Sequence, residues 1–94
     1  MQYVIVAMDG TDDEALNRRL AVREAHIEGA KKMKEEGTLI KGGAILDDEG
    51  NMAGSVAFVE FETRDDLDHW LKTDPYVTGG VWQDIDVKPF RVAI

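Results

Sequence analysis

Two short stretches carry the residues of this chain best suited to chemistry. One is Arg23-Glu-Ala-His26 and the other is Asp74-Pro75-Tyr76. An imidazole gains and loses a proton near neutral pH, and a carboxylate brought beside it can orient the ring and stabilise its charged form. Together, His26 and Asp74 would be the minimum equipment for general acid–base catalysis. Arg19 and Arg23 extend the first stretch. On a helix, Arg19, Arg23 and His26 follow one another at i, i+4 and i+7 and line one surface. At 100° per residue they share a side with Leu16, Leu20, Val22, Ile27, Ala30 and Met33. Charged groups on such a stripe cost free energy unless they are paired or face a wet cleft. Something acidic or anionic is therefore expected to meet them.

Each of these residues also has a plainer role. Arg19 could run its stem along apolar surface to the rim and place its head on one of the chain's 19 carboxylates. From pattern alone, His26 reads more readily as a satisfied structural histidine than as a proton carrier. Asp before Pro is a common helix N-cap, worth about 1 kcal/mol without any catalysis. His69 falls opposite Leu67 and Leu71 and reads as solvated. Gly42-Gly43 lacks both the phosphate-loop pattern and the helix that should follow it. The acidic pairs Asp12-Asp13, Asp47-Asp48 and Asp65-Asp66 sit at turns and helix starts without the ligand spacing of a calcium loop. The chain has no cysteine, which removes disulfides, thiol nucleophiles and Cys-based metal sites. Two histidines advertise no zinc spacing. No metal and no cofactor are expected.

These residues need a scaffold, and the hydrophobic pattern supplies one. Gln2 to Met8 is apolar and β-rich, so it reads as a buried strand that Asp9-Gly10 ends. Thr11-Asp-Asp-Glu14 has capping-box spacing and opens a long helix that runs to about Glu36, with Gly37 as its stop. Leu39 to Leu46 is a second strand with two internal glycines, which mark a bulge or a close approach to the backbone. Asp47 to Asn51 is turn chemistry, and Ser55 to Glu62 is the third strand. Thr63 caps a shorter helix whose inner face is Leu67, Trp70 and Leu71. Asp74-Pro75 ends that helix and starts a short turn through Thr78. The last strand runs from about Trp82 to Ile94, with Pro89 at an edge or bulge. The order β-α-β-β-α-β gives a single domain over residues 1–94. It is an α+β ferredoxin-like fold, with two helices on one face of a four-stranded antiparallel sheet.

That fold leaves one face of the sheet without helices. Ala57, Val59 and Phe61 point one way in the third strand, while Val56 and Phe58 point the other. The first strand is also apolar on both sides. Exposing the uncovered face costs about 25 cal/mol per Å², so a second copy is expected to cover it as a two-fold, sheet-to-sheet homodimer. The formal net charge of -8 repels phosphate backbones and anionic lipid, which argues against nucleic acid and membrane surfaces as partners. No apolar run reaches the roughly 20 residues that span a bilayer. No basic segment precedes a long apolar stretch at the N-terminus, so a cytoplasmic protein is expected.

In this order, Arg23-x-x-His26, Gly42-Gly43-Ala44, Asp74-Pro75-Tyr76 and Pro89-Phe90 resemble the pattern of the YCII (YciI-like) family from about Tyr3 to Val92. The resemblance implies a dimeric α+β barrel and a cleft that holds a His and an Asp as an active site. Carried over by position, these are His26 and Asp74, with Gly42 and Gly43 at the cleft wall; Arg23 and Tyr76, beside the pair in sequence, are expected to bind ligand with them. On this reading the chain is a small enzyme doing cofactor-free isomerase or lyase chemistry on a small anionic or phenolic ligand. His26 would shuttle the proton, Asp74 would orient the ring, and Arg23 would hold an oxyanion or carboxylate. The alternative is a non-catalytic module that binds a small ligand or serves assembly.

Overall fold

The computed structural model describes every residue from Met1 to Ile94. In chain order the elements are β1 (Gln2–Asp9), α1 (Ala15–Glu36), β2 (Leu39–Leu46), β3 (Met52–Glu60), α2 (Arg64–Thr73), α3 (Pro75–Thr78) and β4 (Trp82–Pro89). The strands form one antiparallel sheet in the order β2-β3-β1-β4. This is the ferredoxin-like arrangement, with α3 as a single extra turn before β4.

Strand parity decides which side chains enter the core. Tyr3, Ile5 and Ala7 of β1 are buried, with Val59, Ala57 and Ser55 of β3 opposite them. The alternate residues Val6 and Met8 are exposed on the other face. The helices cover only the first of these faces, where Leu67, Tyr76, Val81 and Trp82 complete the buried cluster. β2 joins the sheet with a register shift between Leu39 and Lys41. Residues two apart in a strand normally share a face. Here the shift puts Leu39 opposite Val59 on the helix side and Lys41 opposite Phe58 on the open side. Lys34, in the last turn of α1, donates to the Ile40 carbonyl at this irregularity.

The ends of several elements differ from the sequence expectation. β3 begins at Met52, earlier than Ser55, and β4 ends at Pro89, well short of Ile94. The Thr11–Glu14 capping box does not form. Glu14 itself occupies the N-cap in helical geometry, with no side-chain cap. In its place, the Asp12 carbonyl accepts the Ala15 N–H at 3.1 Å, and the Asp12 carboxylate accepts both Arg18 terminal nitrogens at 2.8 and 3.2 Å. A forked ion pair is stronger than a neutral hydroxyl bond, and it draws the turn to Arg18. At the other end Gly37, at φ 84°, closes α1. Thr63 caps α2 through the Asp66 N–H, as its spacing suggests.

α1 departs from its expected stripe. Its one buried residue is Arg19, and Leu20, placed inside by periodicity, is 51 % exposed. Ile27, Ala30 and Met33 are only half-buried because they wall a cleft between α1 and the β2–β3 side of the sheet. A helix packed flat on the sheet would have closed that space.

Candidate functional site

The cleft has a volume of about 270 Å³ and draws on nearly every element. α1 supplies Arg19, Arg23 and His26, β2 supplies Gly42 to Ala44, and β3 supplies Ser55 and Ala57. Asp74, Tyr76 and Trp82 enter from the α2–α3 junction and the start of β4. Topology thus brings together residues that lie far apart in the chain.

The His26 ring nitrogen Nδ1 lies 2.9 Å from Asp74 Oδ1, and the Asp74 side chain is 7 % exposed. The same oxygen accepts the Tyr76 N–H at 2.9 Å and so caps α3. A carboxylate only accepts, so Nδ1 carries a hydrogen, and in the neutral form of the ring Nε2 is the nitrogen with the lone pair. Nε2 has no protein partner, and His26 lines the cleft. The ring is held on two sides. It stacks on Tyr76 with centroids 3.7 Å apart and planes at 12°, and it meets Trp82 edge-on at 5.8 Å.

Below this layer lies a second polar group inside the core. Arg19 Nη1 donates to both oxygens of Asp9 at 3.0 Å, and Arg19 Nη2 donates to Ser55 Oγ at 2.8 Å. Trp82 Nε1 donates to the same hydroxyl at 3.2 Å. The Arg19 guanidinium also lies over the Tyr76 ring, 4.6 Å from its centroid, a contact worth roughly 0.5–2 kcal/mol. Arg19 therefore meets its carboxylate in the interior and not at the rim, with only its Nε left unpartnered. Burial holds the Tyr76 phenol above its ordinary value of 10.0, against the opposing pull of Arg19 and Arg23. A neutral phenol is no base at physiological pH, so Tyr76 meets a ligand as a ring and a hydrogen-bonding hydroxyl.

Arg23 lines the cleft less than one turn from His26 and has no ion pair or side-chain hydrogen bond with the protein. It is the free cation of the site. Gly42 lies opposite Ala57, on the helix side, whereas Gly43 lies opposite Val56 and borders the cleft at its edge. His69 is exposed and does not line the cleft. No three His, Asp or Glu side chains converge as metal ligands. Asp9, Ser55 and Trp82 were not singled out from the sequence. Asp9 had a legible signal, since it continues the Tyr3, Ile5, Ala7 parity into the core. Ser55 shares the helix-facing parity of Ala57 and Val59 in the same way.

The cleft can therefore hold a small molecule between an imidazole nitrogen, an unpaired guanidinium and aromatic walls. A proton taken up by Nε2 would leave an imidazolium bonded to Asp74 and stacked on an electron-rich ring.

Comparison with known proteins agrees with this architecture. "Protein YciI" of Escherichia coli O6:H1 is 36% identical, over 97% of each chain. The solved structure of 5-chloro-2-hydroxyhydroquinone dehydrochlorinase (TftG) from Burkholderia phenoliruptrix AC1100, in complex with 2,5-dihydroxybenzoquinone, superposes with a TM-score of 0.85 at 22% identity. That match covers 99% of this chain and 96% of that one. A dimeric ferredoxin-like protein from Jannaschia sp. CCS1 superposes with a TM-score of 0.54 at 15% identity, over 97% and 98% of the two chains. Residues 1–91 match the YCII-related domain, and the chain belongs to that family.

Proposed function

We propose that this protein binds a small anionic or phenolic molecule in the α1–β2 cleft and moves a proton on it without a cofactor. The observation that carries the proposal is the 2.9 Å contact between His26 Nδ1 and Asp74 Oδ1, which leaves Nε2 free in the cleft. Nε2 takes a proton from an acidic O–H or C–H of the bound molecule. Asp74 steadies the imidazolium, and Arg23 holds the developing oxyanion or a carboxylate. Returning the proton at another atom gives an isomerisation, and losing a leaving group gives an elimination. TftG offers support by analogy of fold, since its name describes a dehydrochlorination and its structure holds a dihydroxybenzoquinone. We also place the protein in a homodimer formed through the open sheet face. The dimeric state of the Jannaschia relative is consistent with this.

The test is turnover of halogenated hydroquinones, starting with 5-chloro-2-hydroxyhydroquinone, read as chloride release and quinone absorbance. His26→Ala should keep the wild-type circular dichroism and lose about 10²–10⁴-fold in rate, the usual share of a general acid–base group. Saturable binding with no product from any enolisable or phenolic compound would support the non-catalytic module instead. Unfolding of both His26→Ala and Asp74→Ala would make the pair structural.

A further inference from the structure

The cleft is much longer than the dyad needs. Its lining on α1 includes residues from Arg19 to Met33, which span about four turns of the helix. The two ends differ in chemistry. Arg19, Arg23, His26, Ser55 and Asp74 gather at the end where α1 begins. Ile27, Ala30, Met33, Leu39 and Trp70 line the other, with no charged side chain among the lining residues there. A single ring held by the dyad and Arg23 would leave this apolar half open to water, an arrangement that costs about 25 cal/mol per Å².

The floor between the two halves is kept low by small residues. Gly42 faces the helix side opposite Ala57. Its backbone does not require glycine, because φ is not positive there. A Cβ at Gly42 would meet the Val56 carbonyl at 3.4 Å, Leu39 Cδ1 at 3.7 Å and Ala57 Cβ at 3.8 Å, all ordinary contacts. What the glycine provides is space above the floor. Ala30, small as well, lines the same cleft from α1 and falls between His26 and Met33 in sequence.

We infer that the ligand is an amphiphile. Its anionic head sits at Arg23 and His26, and an alkyl or aryl tail passes between Gly42 and Ala30 to lie against Met33, Leu39 and Trp70. This inference rests on the proposed binding of a small anion at the dyad and adds the tail and the residues that admit it. The free Arg23 fixes the head's charge, and the apolar lining together with the length of the groove fixes the tail.

The chain's two tryptophans report the two ends separately, with Trp82 beside His26 and Trp70 in the apolar half. Their indole N–H signals would be followed by ¹⁵N NMR during titration with benzoate and with its 4-ethyl, 4-butyl and 4-hexyl homologues. Benzoate is expected to move Trp82 and leave Trp70 in place. The longer homologues should move both and tighten roughly two- to fourfold per added methylene. Gly42→Leu and Ala30→Phe, which narrow the passage from opposite walls, should each flatten that dependence on chain length. If benzoate moves neither Trp82 nor the His26 ring, the anion-binding reading fails and the tail fails with it. If benzoate moves Trp82 but the homologues bind no tighter, or leave Trp70 unmoved, the tail alone is overturned. A chain-length dependence that survives in both variants overturns the assignment of the passage to Gly42 and Ala30.

Discussion

At the residue scale, the two readings of Asp74 turn out to be compatible. Its Oδ1 accepts both the Tyr76 N–H that makes it a helix cap and the His26 ring hydrogen. The cap fixes the carboxylate before any ligand arrives, which is what a residue orienting an imidazole needs. Both residues were legible in the sequence because proline marks the cap and because a lone histidine between apolar residues is conspicuous. Their contact was not legible, since it depends on how α1 crosses α3. Tyr76 links the two layers of the site, stacked on His26 and overlain by Arg19. Its phenol is held above the ordinary value of 10.0 by burial. The folded state therefore binds that proton more tightly than the unfolded chain does. Stability should be fully present below about pH 10 and should fall as pH rises from there through the higher folded value. In a Tyr3→Phe variant, where Tyr76 is the remaining tyrosine, ultraviolet absorbance of the phenolate should rise at higher pH than in the urea-unfolded protein. Coincident curves would remove burial as the cause.

At the scale of elements, the strand and helix order was legible because each element carries its own period and its own stops. The path of α1 across the sheet was not. Its sequence stripe mixes Arg19, Arg23 and His26 with apolar residues, and periodicity cannot say that the helix stands off the sheet to leave a cleft. The ion pair of Arg19 with Asp9 joins α1 to β1 at the polar end of that cleft, with side chains 3 % and 2 % exposed. Breaking such a pair from one side leaves a bare charge in the core and costs about 3–5 kcal/mol, whereas replacing both partners with apolar residues is often close to neutral. Arg19→Met alone should therefore lower stability by about 3–5 kcal/mol in urea unfolding at fixed protein concentration. The double variant Asp9→Leu with Arg19→Met should recover most of the loss. A single variant that costs under about 1 kcal/mol would mean that water reaches the pair and that it does not anchor the helix.

At the scale of the whole molecule, the chain has more surface than its size calls for. Its accessible area is 6155 Å². A folded monomer of 10.5 kDa is expected near 5,400 Å². The excess, roughly 700 Å², approaches the 800 Å² or so that each partner contributes to a stable interface. The open face of the sheet can account for much of it. Val4, Val6 and Met8 of β1 lie beside Val56 and Phe58 of β3 there, with Phe90 against Phe58 at 5.1 Å. Charge lies around it, with Asp84, Asp86 and Lys88 on β4, Lys41 on β2 and Glu60 at the end of β3. An apolar centre inside a charged rim is the anatomy of an interface. Val6 sits near the middle, 37 % exposed and outside the helix-covered core, so a charge there should spare the protomer and oppose association. Light scattering should give twice the chain mass for the wild type at micromolar concentration. Val6→Glu should give the single chain mass with unchanged circular dichroism. A monomeric wild type under those conditions would leave the face uncovered and end the dimer proposal. A Val6→Glu protein that stays dimeric would move the interface elsewhere, with the β2 edge next to the cleft as the first place to look.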